Sequence, residues 1–135
     1  PTATAAPPTA TPVPPTAEPE PAGPVVVSTG QFHDVDHDGY GTAIVFRNAD
    51  GSYGLRFEDF YVSNGPALYV YAVAAPDAYD AATVTNAGFL DAGPLKGNKG
   101  NQNYALPAGF DPSVHRSIII WCKRFSVNVL AAPLN

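Results

Sequence analysis

The chain has 135 residues, of which 45% are apolar and 14% are charged, and its formal net charge is −5. Its seven Lys and Arg residues are scattered, which argues against a nucleic acid or an anionic lipid surface as the partner. No apolar run approaches the roughly 20 residues of a membrane-spanning helix, and a single cysteine excludes an internal disulfide.

Residues 1–24 differ in composition from the rest, because they consist almost wholly of Pro, Thr and Ala. Proline lacks the backbone donor and fixes φ, so the sequence predicts an extended polyproline II tail here. Such a stalk is typical of secreted or cell-surface proteins, where threonines often carry O-linked sugars, and a plain linker is the alternative. Because the chain begins with proline and lacks methionine, we expect a processed protein whose signal peptide or anchor lies outside it. The candidate glycosylation sites are Thr2, Thr4, Thr9, Thr11 and Thr16.

Residues 25–135 predict one all-β domain, an antiparallel sandwich or a closed barrel, because short β-branched and aromatic runs alternate with Gly, Asn, Asp and Pro. The Asp-Gly pair in residues 48–51 predicts a hairpin between two of these strands. Residues 76–83 are expected to hold at most a short turn of helix. The predicted strands, in chain order, are Val25–Val27, Thr42–Arg47, Tyr53–Phe57, Ala67–Val73, Asn103–Leu106, Ser117–Trp121 and Phe125–Leu130.

An acidic loop follows the first predicted strand. Asp34, Asp36 and Asp38 alternate and are followed by Gly39, a spacing that suits a loop around Ca²⁺. The twelfth position from Asp34 is Val45, which excludes an EF-hand. A looser calcium site and a solvated acidic turn both remain open.

The other polar residues give no sign of an enzyme. His33, His37 and His115 match no zinc spacing, and no serine lies in a nucleophile elbow. Residues 96–103 are rich in glycine and asparagine, and they form either a recognition loop or a tight turn whose amides satisfy their own backbone. Seven tyrosines suit either a protein partner or ordinary sheet packing.

Several blocks of residues, in a fixed order, form a recognisable pattern. They are Gly30–Phe32, His37 with Gly41–Ala43, Leu55–Phe60, Ser63–Pro66, Leu68–Tyr71, Leu95–Tyr104 with Leu106–Pro107, and Ile120–Lys123 with Phe125 and Val127. Through these blocks, residues from about 30 to 135 resemble the DM-thirteen domain, a proposed electron-transfer module found beside DOMON domains. The resemblance implies a single extracellular all-β domain that does redox work through its cysteine, either as a bare thiol or by holding a haem-like group.

The family's cysteine falls on Cys122. Cys122 shares a strand face with Ile118 and Ile120, so the residues themselves favour a buried, inert thiol over a reactive one. No Cys-x-x-Cys-His attachment signal for haem is present.

Two functions follow. The preferred one is a secreted or cell-surface assembly module, whose tail docks on other copies of the chain and builds a filament, with Val25, Val26 and Val27 adding to a sheet edge. The alternative is an extracellular electron-transfer domain acting through Cys122. We expect no cofactor in the first case, with calcium possible at the acidic loop, and a haem only in the second.

Overall fold

The computed structural model describes residues 24–135. The predicted tail and its five candidate glycosylation sites therefore lie outside the described residues, apart from Pro24. Nine strands and one short helix make up the described part. They are β1 (Val25–Gln31), β2 (His33–Asp34), β3 (Gly39–Arg47), β4 (Tyr53–Val62), β5 (Leu68–Val73), α1 (Ala81–Ala87), β6 (Phe89–Pro94), β7 (Gln102–Ala105), β8 (Ser117–Cys122) and β9 (Val127–Pro133).

The strands form two antiparallel sheets, in the orders β1-β3-β4-β7 and β2-β9-β8-β5-β6. The all-β prediction of a sandwich is confirmed. The predicted hairpin joins β3 to β4, where Asn48 donates and accepts the backbone hydrogen bonds that close residues 48–52. Backbone hydrogen bonds between Thr29 and Asn135 hold one corner of the two sheets together.

The main core lies between the sheets, and a smaller one covers the outer face of the five-stranded sheet. Alternation along β8 divides its residues between them, because successive side chains of a strand point to opposite faces. Ile118, Ile120 and Cys122 face the main core, as predicted. Ile119 and Trp121 face the smaller core, which α1 and the segment before it close.

Several elements differ from the prediction. The helix spans Ala81–Ala87, later than the turn predicted within residues 76–83, because Asp80 caps it by accepting a hydrogen bond from the Thr83 amide. β9 runs on to Pro133, since its small Ala131 and Ala132 are buried by both cores. β1, β3 and β4 are longer than predicted, and β2 and β6 were not predicted. No helix in residues 24–135 has the length and apolar character needed to cross a membrane.

Candidate functional site

Cys122 is the last residue of β8, and only 1% of it is exposed. Its thiol donates a hydrogen bond to the carbonyl oxygen of Pro66, over a distance of 3.0 Å from Sγ to oxygen. Its partners across the sheet are Leu68 on β5 and Val127 on β9. The burial agrees with the packing interpretation, whereas the inertness of the thiol stays a prediction.

Residues 63–67, here the 63–67 turn, lie between this thiol and the solvent. Pro66 is exposed, although its carbonyl oxygen reaches the buried sulfur. Backbone hydrogen bonds fix both ends of the turn, from the Ser63 amide to Asp38 at 3.0 Å and from the Lys123 amide to Ala67 at 3.0 Å. Ala67 has a φ of 56°, a left-handed conformation that is uncommon for a residue with a side chain. The turn is therefore held at its ends and strained beside the thiol.

His37 packs against the same turn. A Cβ atom at position 65 would lie 3.0 Å from Cε1 of His37 and 3.2 Å from a methyl group of Leu68, so a larger residue here would have to push these two side chains aside by a few tenths of an ångström. One ring nitrogen of His37, Nε2, lies 3.4 Å from a carboxylate oxygen of Asp36. Nδ1 is buried and has no hydrogen-bond partner among residues 24–135. His37 and Cys122 thus both contact the Gly65-Pro66 pair.

Lys123, the cation that follows Cys122 in sequence, makes its contacts on the outer face of the five-stranded sheet. The ammonium group of Lys123 lies 2.9 Å from a carboxylate oxygen of Asp91 and 3.9 Å from the centre of the Tyr69 ring. The hydrogen bond to Asp91 raises the pKa of Lys123. In this arrangement Lys123 does not stabilise a thiolate at Cys122.

An aromatic pair lies behind Cys122, on the opposite face of β8. The ring of Trp121 stacks on that of Tyr71, with centroids 5.7 Å apart, and Tyr71 also contacts Phe89 at 4.1 Å. Burial raises the pKa of Tyr71, which keeps its hydroxyl neutral. The chain's only tryptophan is the sequence neighbour of its only cysteine, and its side chain lies in the smaller core, on the other face of β8.

The surroundings of Cys122 do not fit a haem. A haem thiolate needs an open face beside the sulfur, whereas Sγ of Cys122 meets the Pro66 carbonyl within the packed core. Two cavities of the described part, of about 340 and 280 Å³, are lined by other residues. The residues present fit a bare thiol.

The acidic loop is held by hydrogen bonds within it and by backbone hydrogen bonds to Val129 on β9. Asp34 accepts a hydrogen bond from the Gly39 amide at 2.9 Å, and Asp36 faces His37. Among residues 24–135, no three His, Cys, Asp or Glu side chains are grouped to hold a metal ion. Asp34, Asp36 and Asp38 are thus not brought together as a ligand set, and calcium binding stays a prediction.

The other two histidines contact residues other than Cys122 and the 63–67 turn. His33 makes a hydrogen bond with Asp77 at 2.7 Å and stacks on Tyr79. His115 accepts a hydrogen bond from the Asp111 amide at 3.0 Å and stacks on Phe110. Both histidines have structural partners of their own.

The candidate assembly residues lie at an edge. Val25 pairs with Arg47 and Val26 with Phe46, so these valines already belong to the chain's own four-stranded sheet. β1 is an edge strand of that sheet, and Val25 and Val26 are 48% and 59% exposed. Self-association through them stays a prediction.

Sequence reasoning named His37 and Cys122 separately but did not place them on a common turn. The resemblance carried a signal for this, because His37, the Ser63–Pro66 block and Cys122 all belong to its matching segments. Three distant segments that share one family pattern are often neighbours in space, as they are here.

The fold and the site together describe a small β-sandwich domain with a buried thiol beneath a strained turn. A family model described as electron transfer DM13 matches residues 31–134. The chain belongs to the DM13 electron-transfer family. No curated protein and no solved structure matches it.

Proposed function

We propose that this domain carries electrons through the bare thiol of Cys122, as a carrier and not an enzyme, and without a bound cofactor. Membership of the electron-transfer family supports a redox role. The observation that carries the assignment to Cys122 is the shared turn: Pro66 accepts the thiol hydrogen bond, while His37 packs on Gly65. The Pro/Thr-rich composition of residues 1–24 supports a secreted or cell-surface location.

The chemistry we propose is thiol–disulfide exchange with partner proteins. The Cys122 thiolate attacks one sulfur of a partner's disulfide, so a mixed disulfide forms and the partner's second sulfur leaves as a thiolate. One thiolate of a second partner's dithiol then attacks the Cys122 sulfur, which releases the first partner fully reduced and forms a mixed disulfide with the second partner. The remaining thiolate of the second partner attacks that partner's own sulfur in this bond, which closes its disulfide and releases Cys122 as a thiolate. Two electrons thereby pass from the dithiol to the first partner.

The proposal requires the 63–67 turn to open, because the thiolate and not the buried thiol is the nucleophile. Opening breaks the hydrogen bond to Pro66 and admits water. His37 packs on this turn with a buried ring nitrogen, Nδ1, that has no hydrogen-bond partner among residues 24–135. In our proposal this nitrogen receives the thiol proton when the turn opens. Histidine is the side chain best suited to exchange a proton near neutral pH.

The proposal is tested on the full chain with oxidised glutathione, followed by intact mass and by Trp121 fluorescence. We expect one glutathione adduct on the folded protein, a change in Trp121 emission, and reversal of both by dithiothreitol. The Cys122→Ser variant gives neither change. Absence of an adduct on the folded chain, under conditions that modify the urea-unfolded chain fully, overturns the proposal.

The assembly role is a second proposal, with one observation in its favour. Exposed Val25 and Val26 lie on an edge strand, and edge strands present unpaired backbone groups that another chain can join. Light scattering of the full chain tests it. A monomer at every concentration, with Val26→Lys unchanged from the parent, excludes assembly through this edge.

A further inference from the structure

A cleft of about 340 Å³ opens at one end of the four-stranded sheet, whereas Cys122 lies on the five-stranded sheet. We call it the Tyr40 cleft. Its volume is at the small end of the range for ligand sites, about 300–1,000 Å³. Its lining residues are Tyr40, Asp59, Phe60, Lys99, Gly100 and Asn101.

The cleft is built on a β-bulge. Asp59 adopts a φ of 51° opposite Gly41, where the register between β3 and β4 shifts. Gly41 has a φ of 135°, and a Cβ atom there would lie 2.8 Å from Cα of Phe60, so the bulge requires glycine at this position. The bulge turns Asp59 out of the regular sheet alternation and into the cleft.

The glycine- and asparagine-rich loop forms the opposite wall and is tied to the bulge. The Gly100 amide donates to the Phe60 carbonyl at 2.8 Å, and the Asn101 side-chain oxygen accepts from the Asp59 amide at 2.9 Å. Lys99 makes an isolated backbone bridge to Tyr61. The loop is thus a fixed wall, so little ordering is required when a ligand enters.

The walls present an aromatic face beside polar groups of both kinds. The Tyr40 ring is 56% exposed and lies beside the Tyr61 ring, with centroids 5.5 Å apart. Within residues 24–135, neither the Asp59 carboxylate nor the Lys99 ammonium group makes an ion pair. The carboxylate accepts hydrogen bonds, and the ammonium group and the Asn101 amide nitrogen donate them.

We propose that the Tyr40 cleft binds a neutral sugar, a β-linked hexopyranose unit of an oligosaccharide. The flat C–H face of such a ring packs on an exposed aromatic ring, as Tyr40 offers. Its vicinal hydroxyl groups donate to the Asp59 carboxylate and accept from Lys99 and Asn101. Because the two charges of the cleft cancel, a neutral polyhydroxylated ligand fits it better than an anion or a cation. The site is independent of the redox role of Cys122.

The test is a titration of the isotopically labelled full chain with cellotetraose, followed by ¹H–¹⁵N NMR. We expect saturable shifts at Tyr40, Asp59, Lys99 and Asn101, with a smooth binding curve in the millimolar range, where about 1 mM corresponds to about −4 kcal/mol. Tyr40→Ala is expected to weaken binding about fivefold or more, and Asp59→Asn about tenfold.

The matched control is Phe125→Ala, which removes another exposed aromatic ring, 64% exposed, from the turn after β8. It should leave the dissociation constant unchanged. The absence of shifts at the cleft with about 20 mM cellotetraose, or binding that Tyr40→Ala leaves intact, overturns the proposal. Tyr40, Asp59 and Phe125 are all exposed, so we expect the three variants to keep the buried core. Their NMR spectra also verify that they fold.

Discussion

The thiol of Cys122 donates its hydrogen bond to Pro66, and His37 packs closely against Gly65, the residue before that proline. The buried sulfur and the histidine therefore depend on one short turn, although they lie 85 residues apart in sequence. A change in this turn should alter the exposure of the thiol without dismantling the sandwich.

The first prediction concerns Gly65→Ala. The added methyl group would lie 3.0 Å from Cε1 of His37 and 3.2 Å from Leu68, tight contacts that these two side chains must relieve by shifting. Overpacking of this kind typically costs about 1–3 kcal/mol, and here the strain falls on the closed form of the turn. We expect native-state alkylation of Cys122 to become about 5–100-fold faster, measured by intact mass.

Gly109→Ala is the control for this change. Its added methyl group meets nothing closer than 3.9 Å, at Leu90, so it should leave the alkylation rate within about twofold of the parent. Equal rates for Gly65→Ala and Gly109→Ala would show that the turn does not guard the thiol.

The second prediction concerns the packing role of Cys122, measured by the free energy of unfolding and without any redox reagent. Cys122→Ala removes a buried atom and leaves the Pro66 carbonyl without its donor, which should cost about 1–3 kcal/mol of unfolding free energy in urea. Cys122→Ser keeps a donor and is expected to lose less. A stability of the alanine variant equal to the parent would contradict the packing described here.

The third prediction concerns pH. Burial raises the pKa of Tyr104 to about 12, because the hydroxyl lies in the core, and the hydrogen bond that it accepts from the Lys96 amide at 2.9 Å opposes this shift only in part. In the unfolded chain a tyrosine loses its proton near pH 10. The folded state therefore retains a proton that the unfolded state has lost, and the stability that this group contributes falls as pH rises from about 10 to about 12.

Urea unfolding across that range measures the effect. Tyr104→Phe is expected to flatten this part of the pH dependence and to cost about 1–2 kcal/mol at neutral pH, because the Lys96 amide loses its acceptor. Tyr79→Phe, whose residue is 71% exposed, is the control and should keep the parent's slope. An unchanged slope in Tyr104→Phe would contradict the assignment.

Local patterns predicted much of the fold. The Asp-Gly turn predicted the first hairpin, and the alternation of Ile118, Ile120 and Cys122 predicted the buried face of β8. The sequence did not reveal β6, because Asp91, Gly93 and Pro94 are poor strand formers and the strand exists through its pairing with β5.

The site could be predicted only in part, because its neighbours are set by tertiary register. The resemblance pointed to Cys122, yet no spacing in the chain places His37 beside Gly65. That contact arises because the amides of Val35, Asp36 and His37 all donate to the Val129 carbonyl. These hydrogen bonds anchor the acidic loop near the start of β9. The Tyr40 cleft likewise depends on a bulge that no local pattern marks.

The most direct test of the account is the rate at which Cys122 reacts with a disulfide reagent in the folded full chain, compared with the rate of global unfolding. We expect the reaction to outpace unfolding, to level off at high reagent concentration at the opening rate of the 63–67 turn, and to be faster in Gly65→Ala. A reaction rate equal to the unfolding rate in both proteins would show that Cys122 is exposed only when the whole domain unfolds, and it would contradict a carrier role for this thiol.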